Sequence, residues 1–281
     1  MFSVVSSMRG RIDVSKDKKY LYDTEETMIQ VAVCGCGGRM GSAVIDAVNA
    51  SDDMQLVCGV DPNFTTESYS VYQSIDQALK ATSFDVLVDF TRPDVVASNV
   101  KCALSAGVDC VVGTTGLAQE TLESLSSCAT GDACLFYAPN FTTGAVLMMQ
   151  FAKAAAPYFP EAEIIECHHA NKRDAPSGTA VRTAHIIQDA RGRDSKAPGK
   201  ETEIEGAEGA RGALVAGVPV HSVRSMGFVA TQQVIFGSMG QTLTITHDSW
   251  DRESYMPGVL LGIRSVGSQH GLIVGLENFM E

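Results

Sequence analysis

His168 and His169 stand side by side, Lys172 follows four residues after the first, and Ser177-Gly178-Thr179 come close behind. Histidine is the side chain best suited to give up a proton near neutral pH, and lysine adds a compact positive charge. Ser177, Gly178 and Thr179 open a stretch of helical spacing, where a helix start offers backbone N–H groups and hydroxyls to a carboxylate. The string 168–180 therefore reads as an anion site beside a proton donor. Neighbouring residues at a strand end point to opposite sides, so one imidazole faces a cleft while the other supports it or touches a ligand. Taken singly, a His-His pair also reads as a packing or surface feature, and a lysine as a solvated charge. No metal is expected: no HExxH, third histidine or carboxylate stands at ligand spacing, and the eight cysteines form no CxxC pair. His185, His221, His247 and His270 are scattered and suit core or surface positions.

A second group of residues reads as a phosphate cradle. After the apolar run Ile29–Cys34 comes Gly35-Cys36-Gly37-Gly38-Arg39-Met40-Gly41, then helical spacing over residues 40–50. Glycines there let the chain turn tightly and let a pyrophosphate approach the positive start of the helix. The usual G-x-G-x-x-G would put glycine at position 40, where Met40 stands and Gly41 follows. Asp61 lies about 20 residues beyond Gly41, at the end of the next apolar run, where an acid accepts both ribose hydroxyls and repels a 2′-phosphate. Pro62 follows it rather than an arginine, so the lean is to NADH over NADPH, with Arg39 still in reach of a phosphate. Gly113-Thr114-Thr115-Gly116 and Ala138-Pro139-Asn140-Phe141 fall at two further strand ends, where open parallel sheets bind ligands, although simple turns would use the same residues.

The elements that must hold these residues are legible as period. Ile29–Cys34, Met54–Val60, 84–90, 108–112 and 133–137 are apolar runs, separated by segments such as 95–104 and 117–125 with apolar residues three and four apart. Strands apolar on both faces and alternating with helices predict a doubly wound parallel sheet, an α/β Rossmann-like nucleotide-binding domain. After residue 143 the rhythm changes. A helix over 146–158, a strand over 163–167, a helix to about 190, a long loop over 192–217 and alternating strands over 220–224, 228–236 and 242–247 predict a mixed α/β second domain with antiparallel strands. From Arg252 onward the pattern is helical.

The chain has 281 residues, 45% of them hydrophobic, enough for one large or two modest domains. Its 33 acidic against 21 basic side chains give a formal charge of −12, which disfavours nucleic acid and anionic lipid as partners. No apolar run approaches the ~20 residues that span a bilayer, and residues 1–28 lack a signal peptide's apolar core. That arm receives no function. Several cysteines sit in apolar runs, as small buried hydrophobes of a reducing cytoplasm.

The string Glu166-Cys-His-His-Ala-Asn-Lys-Arg-Asp-Ala-Pro-Ser-Gly-Thr-Ala180 closely resembles the signature E-x-H-H-x-x-K-x-D-A-P-S-G-T-A of the 4-hydroxy-tetrahydrodipicolinate reductases, also called dihydrodipicolinate reductases. The glycine loop, Asp89-Phe90-Thr91, residues 113–116, residues 138–141 and Thr246-His-Asp-Ser-Trp-Asp-Arg252 match in the family's order, from Ile29 to about Leu276. The resemblance implies reduction of an unsaturated cyclic dicarboxylate to tetrahydrodipicolinate by NADH or NADPH, in diaminopimelate and lysine biosynthesis. It implies His168 as proton donor and Lys172 as a second catalytic group. His169, Ser177, Gly178 and Thr179 would hold the substrate's carboxylates. Gly35, Cys36, Gly37, Gly38, Arg39, Met40, Asp61, Gly113, Thr114, Thr115, Ala138, Pro139, Asn140 and Phe141 would surround the cofactor. It further implies a homotetramer, a discontinuous nucleotide domain (29–142 and 252–281) and a substrate-binding and oligomerisation domain (143–251). The chain departs from many relatives at Thr231-Gln232-Gln233, where they carry a histidine, and at Cys36, where a small or basic residue is common. Two other classes fit the residues alone: a reductase of another small dicarboxylate, and a nicotinamide-sensing regulator, which would have no use for the His168–Lys172 string.

Overall fold

The computed structural model describes residues 28–192 and 206–280. The N-terminal arm, Met28 apart, and residues 193–205 of the long loop lie outside the described residues.

The first half alternates as its periodicity predicts. β1 (Ile29–Cys34), α1 (Arg39–Asn49), β2 (Met54–Val60), β3 (Val71–Tyr72), α2 (Ile75–Ala81), β4 (Val86–Asp89), α3 (Val96–Ser105), β5 (Asp109–Val112), α4 (Gln119–Ser126) and β6 (Cys134–Tyr137) follow one another. The second half runs α5 (Thr143–Ala155), β7 (Glu161–His168), α6 (Gly178–Arg191), β8 (Ala213–Val215), β9 (Val218–Arg224), β10 (Ala230–Ser238), β11 (Gln241–Ser249), α7 (Met256–Val266) and β12 (Gly271–Val274).

One sheet has seven parallel strands in the order β12-β6-β5-β4-β1-β2-β3. Its strands are apolar on both faces because each face has its own core. Val31, Val33, Val86, Val88, Val111 and Phe136 point to the side of α1 and α7, whereas Ala32, Cys34, Leu87, Cys110, Val112 and Leu135 point to the side of α2, α3 and α4. Phe136 is fully buried, edge-on to Phe141 at 5.6 Å and beside Phe279 at 4.6 Å. Burying a ring of this size is worth about 1.5–3 kcal/mol, so the loop after β6 is pinned where it meets the C-terminal end of the chain.

The second sheet, β11-β10-β7-β9-β8, carries α5 and α6 on one face. Ala162, Ile164, Val220, Val234 and Phe236 point under those helices. β10 pairs antiparallel with β7 and β11, but β9 runs parallel to β7, against the antiparallel expectation. Alternating polarity reports a half-buried strand and leaves its direction open.

Four strands and helices lie outside the sequence reading: two-residue β3, seven-residue α2, β8 within the long loop, and β12. The helical reading from Arg252 is corrected by β12, which follows α7 after a turn at Gly267–Ser268, opens on Gly271 (φ +71°) and adds a parallel strand beside β6. α7 lies against β5 and β6, so chain that follows the second sheet returns to the first.

Candidate active site

β7 delivers the two histidines. Its last residue, His168, and the following His169 both line a cleft of about 740 Å³, as do Lys172, Ser177, Gly178 and Thr179. The same cleft is walled by Met40 at the start of α1, Thr115 after β5, and Pro139 and Asn140 after β6. Two sets of residues far apart in sequence thus face one space.

His168 is held from behind. Its Nδ1 meets Oε2 of Glu166, two residues back on the same face of β7. Glu166 is fully buried and is bound by Arg224 through Nη1 to Oε2 at 2.9 Å and Nη2 to Oε1 at 2.8 Å. The Ser177 backbone N–H adds a bond to Oε1 at 3.2 Å. Burial pushes the Glu166 carboxyl up, but hydrogen bonds from Arg224, Ser222 and His168 outweigh it and leave it below its ordinary value. Burial lowers the His168 pKa below the ordinary 6.5; Glu166 opposes that and the Lys172 and Arg224 charges add to it. Its surroundings therefore bias the free imidazole toward the neutral form.

Lys172 lines the cleft with its Nζ 2.8 Å from Oδ1 of Asp174. Ser177 caps α6, its Oγ accepting from the Ala180 N–H at 3.2 Å. A Cβ placed on Gly178 would meet nothing within 4 Å, so the helix start opens onto free space. A carboxylate fits there, against uncompensated N–H groups and within the field of Lys172.

The phosphate cradle is built in backbone. Gly38 caps α1 without a side-chain bond, which leaves the first N–H groups of the helix free. Gly35 has φ +75° and Gly41 packs so closely that a Cβ would sit 2.1 Å from the Gly35 carbonyl oxygen. Asp61 accepts from the Gly37 N–H at 3.2 Å and the Asn63 N–H at 2.9 Å, and borders a second crevice of about 400 Å³ with Gly35 and Gly38. Free N–H groups, glycine-shaped space and a fixed acid at the ribose position fit a dinucleotide.

Several of the other expected cofactor residues turn their side-chain positions into the protein. The Cys36 side chain is buried beside Gly59 and Tyr69, and burial pushes its thiol pKa up. Gly37 lies against Phe64 and Gly113 under the Phe90 ring, each too close for a Cβ. Thr114 is buried and donates to Asp89 at 2.9 Å; that carboxylate also takes Thr91 N–H and Oγ1 and Asn99 Nδ2. Ala138 and Phe141 are buried, and Arg39 is exposed. Asn140 bridges the halves, its Nδ2 3.3 Å from Thr179 Oγ1. No group of side chains among the described residues is arranged to hold a metal ion.

Comparison with known proteins decides the family. Two profiles described as the N-terminus and the C-terminus of dihydrodipicolinate reductase match residues 29–141 and 144–280. A 4-hydroxy-tetrahydrodipicolinate reductase of Nocardia farcinica is 47% identical over 258 residues, 90% of this chain and 99% of the relative. One of Listeria welshimeri is 48% identical over 265 residues, covering 90% and 100%. The chain belongs to the dihydrodipicolinate reductase family. A solved dipicolinate-bound dihydrodipicolinate reductase from Paenisporosarcina sp. TG-14 superposes with a TM-score of 0.81 at 40% identity, over 90% of this chain and 99% of that one.

The cleft has further lining residues to which the sequence reading gave no site role, Trp250 and Arg252 of the matching 246–252 motif among them. Arg182, Phe228, Val229, Trp250, Arg252 and Tyr255 also line the cleft. Arg182 pairs with Glu277, joining α6 to the chain's C-terminal turn. Glu166 had a signal, since it lies two residues before His168 on one strand face. Arg224 had none: it reaches Glu166 only because β9 lies beside β7, with Arg224 in register with His168. At the departure on β10, Gln232 is buried and donates to Thr183 Oγ1 at 2.8 Å.

Proposed function

We propose that the chain reduces the dihydrodipicolinate formed from 4-hydroxy-tetrahydrodipicolinate to tetrahydrodipicolinate, the diaminopimelate and lysine-pathway step performed by its family, with His168 as proton donor and Lys172 as second catalytic group. The observation that carries this reading is the shared cleft, where His168, Lys172 and the start of α6 face Met40, Thr115 and Asn140. The nicotinamide, when bound, supplies the hydride. The Gly178 and Thr179 N–H groups and His169 hold the substrate's carboxylates, and Lys172 offsets the negative charge that grows on the ring as hydride arrives. His168 then delivers its Nε2 proton to the electron-rich ring carbon. Residues 29–142 with 252–281 serve as the nucleotide unit, and 143–251 as the substrate unit.

NADH is the preferred donor in this reading, because the Asp61 carboxylate is fixed by two backbone N–H groups and no cation among the described residues forms an ion pair with it. The homotetramer rests on the sheet face away from α5 and α6. There Ile165, Gln233 and Ile235 are partly exposed, and Thr244 and Val223 are exposed. All eight cysteines are free, which suits the cytoplasm, and no helix among the described residues is long and apolar enough to cross a membrane.

Calorimetry with pyridine-2,6-dicarboxylate, a planar mimic of the substrate, tests the reading. Tighter binding in the presence of NADH is expected; affinity indifferent to NADH would favour a cofactor sensor. Trp250, the only tryptophan, is 82% exposed on the cleft wall and reports the same event. Adding both ligands should shift its emission to the blue, as closure removes it from water, and an unchanged spectrum would contradict closure over this cleft.

The pH dependence has a definite sign. His168 must carry its proton, so kcat/KM should fall as pH rises through a free-enzyme pKa below 6.5. A bound dianion favours the imidazolium, so the alkaline limb of kcat should lie at higher pH than that of kcat/KM. Coincident limbs would contradict the assignment.

A further inference from the structure

Glu166 and Arg224 stand behind the proposed proton donor, and neither is among the residues assigned to substrate, cofactor or chemistry. We propose that they are the positioning residues of this site: Glu166 fixes the imidazole of His168 with Nδ1–H turned to the sheet and Nε2 turned to the cleft, and Arg224 fixes Glu166 and the loop that carries Lys172. The inference rests on the reading of His168 as donor and deepens it.

Four donors converge on Glu166. The Arg224 guanidinium takes both of its oxygens, the Ser177 N–H and Ser222 hydroxyl add to them, and the His168 Nδ1 completes the set. A carboxylate accepts only, so the hydrogen on the His168 side must sit on Nδ1, which leaves Nε2 as the nitrogen that gains and loses the catalytic proton. Buried beside an imidazole, a carboxylate fixes tautomer and ring angle and steadies the imidazolium. When Nε2 gives its proton to the ring carbon bearing the electron pair, a neutral imidazole remains with Nδ1–H still on Glu166. Solvent restores the Nε2 proton.

Arg224 has a second grip. Its Nη2 donates at 2.7 Å to the carbonyl oxygen of Asp174, whose side chain holds Lys172. One guanidinium on β9 therefore ties the end of β7 to the turn between Lys172 and Ser177. A planar fork can serve both partners together, whereas a lysine ammonium in its place could not match that geometry. Titratable and charged groups around His168 are Glu166, Arg224, Lys172 and Asp174, then His169, Arg182, Asp251 and Arg252 on the cleft lining, and His247 of β11 in a small adjoining cavity.

Glu166→Gln tests the device. The amide nitrogen turned to His168 would meet Nδ1–H donor to donor and drive the imidazole to the other tautomer. Expected in steady-state turnover are a kcat lowered about 10²–10⁴-fold, an NADH Kd within threefold of the parent and an alkaline limb of kcat moved to lower pH. A kcat within threefold of the parent with the limb unmoved would overturn the proposal.

A second readout does not require turnover. Calorimetry of pyridine-2,6-dicarboxylate binding at pH 7 in buffers of different ionisation enthalpy counts the protons taken up as His168 charges. The parent should take up protons and Glu166→Gln fewer; equal uptake by the two would overturn the positioning role. A parent without turnover, but with this uptake difference, would sink the reductase reading and leave the positioning role standing. Should Glu166→Gln fail to fold, Arg224→Lys keeps the charge and loses the fork. It should then lose about tenfold in kcat at unchanged NADH affinity, and full activity would overturn the role of Arg224.

Discussion

Replacing Lys172 by alanine should lower kcat by about 10²–10⁴-fold and leave the Kd for NADH nearly unchanged. The side chain faces the cleft beside His168 and takes no part in the crevice of Asp61 and the glycine loop. Its charge is exposed enough to meet substrate and is steadied by Asp174. An interaction made mainly as charge develops on the ring acts on kcat more than on ground-state binding. NADH titration followed by nicotinamide fluorescence, alongside steady-state rates, separates the two effects. A variant that keeps most of its kcat would remove Lys172 from the chemistry.

Gly41→Ala should weaken NADH binding about 10²-fold and lower stability by about 1–3 kcal/mol. A Cβ at position 41 would lie 2.1 Å from the Gly35 carbonyl oxygen and 2.9 Å from the Cys36 Cα. Both neighbours are backbone, so no side chain can swing away. The turn must open at the point where the first N–H groups of α1 face the proposed pyrophosphate site, and a displacement near 1 Å is enough to spoil that geometry. The pair of measurements is an NADH titration and a thermal melt. Binding within threefold of the parent would show that the cradle tolerates a methyl group and that the phosphates lie elsewhere.

The nucleotide half was legible because burial on two faces leaves a distinct mark. In β1 the residues Val31, Ala32, Val33 and Cys34 are all buried, alternating between the two cores. A run of that kind followed by glycines predicts both the sheet and the cradle. The grouping of His168, Lys172 and Ser177–Thr179 on one cleft was legible because they lie within twelve residues of one another, so local order alone brings them together.

What escaped the sequence depends on pairing. β12 is four residues long with every position half-buried, and it gains its identity from β6 beside it. β9 lies parallel to β7, and only that register sets Arg224 opposite His168. The division of labour within the cofactor loops was hidden for the same reason. Cys36, Gly113 and Phe141 stand in the expected cofactor loops with side-chain positions that face Gly59, Phe90 and Phe136, which leaves their backbone as the part free to meet a ligand.

Coupled turnover tests the central claim most directly. The preceding synthase, given aspartate semialdehyde and pyruvate, would make the substrate in situ, and the loss of reduced-cofactor absorbance would be followed with NADH and NADPH separately. Rapid oxidation that depends on the synthase product, with a higher kcat/KM for NADH, is the predicted result. No oxidation with either cofactor, by folded protein that still binds NADH, would contradict it.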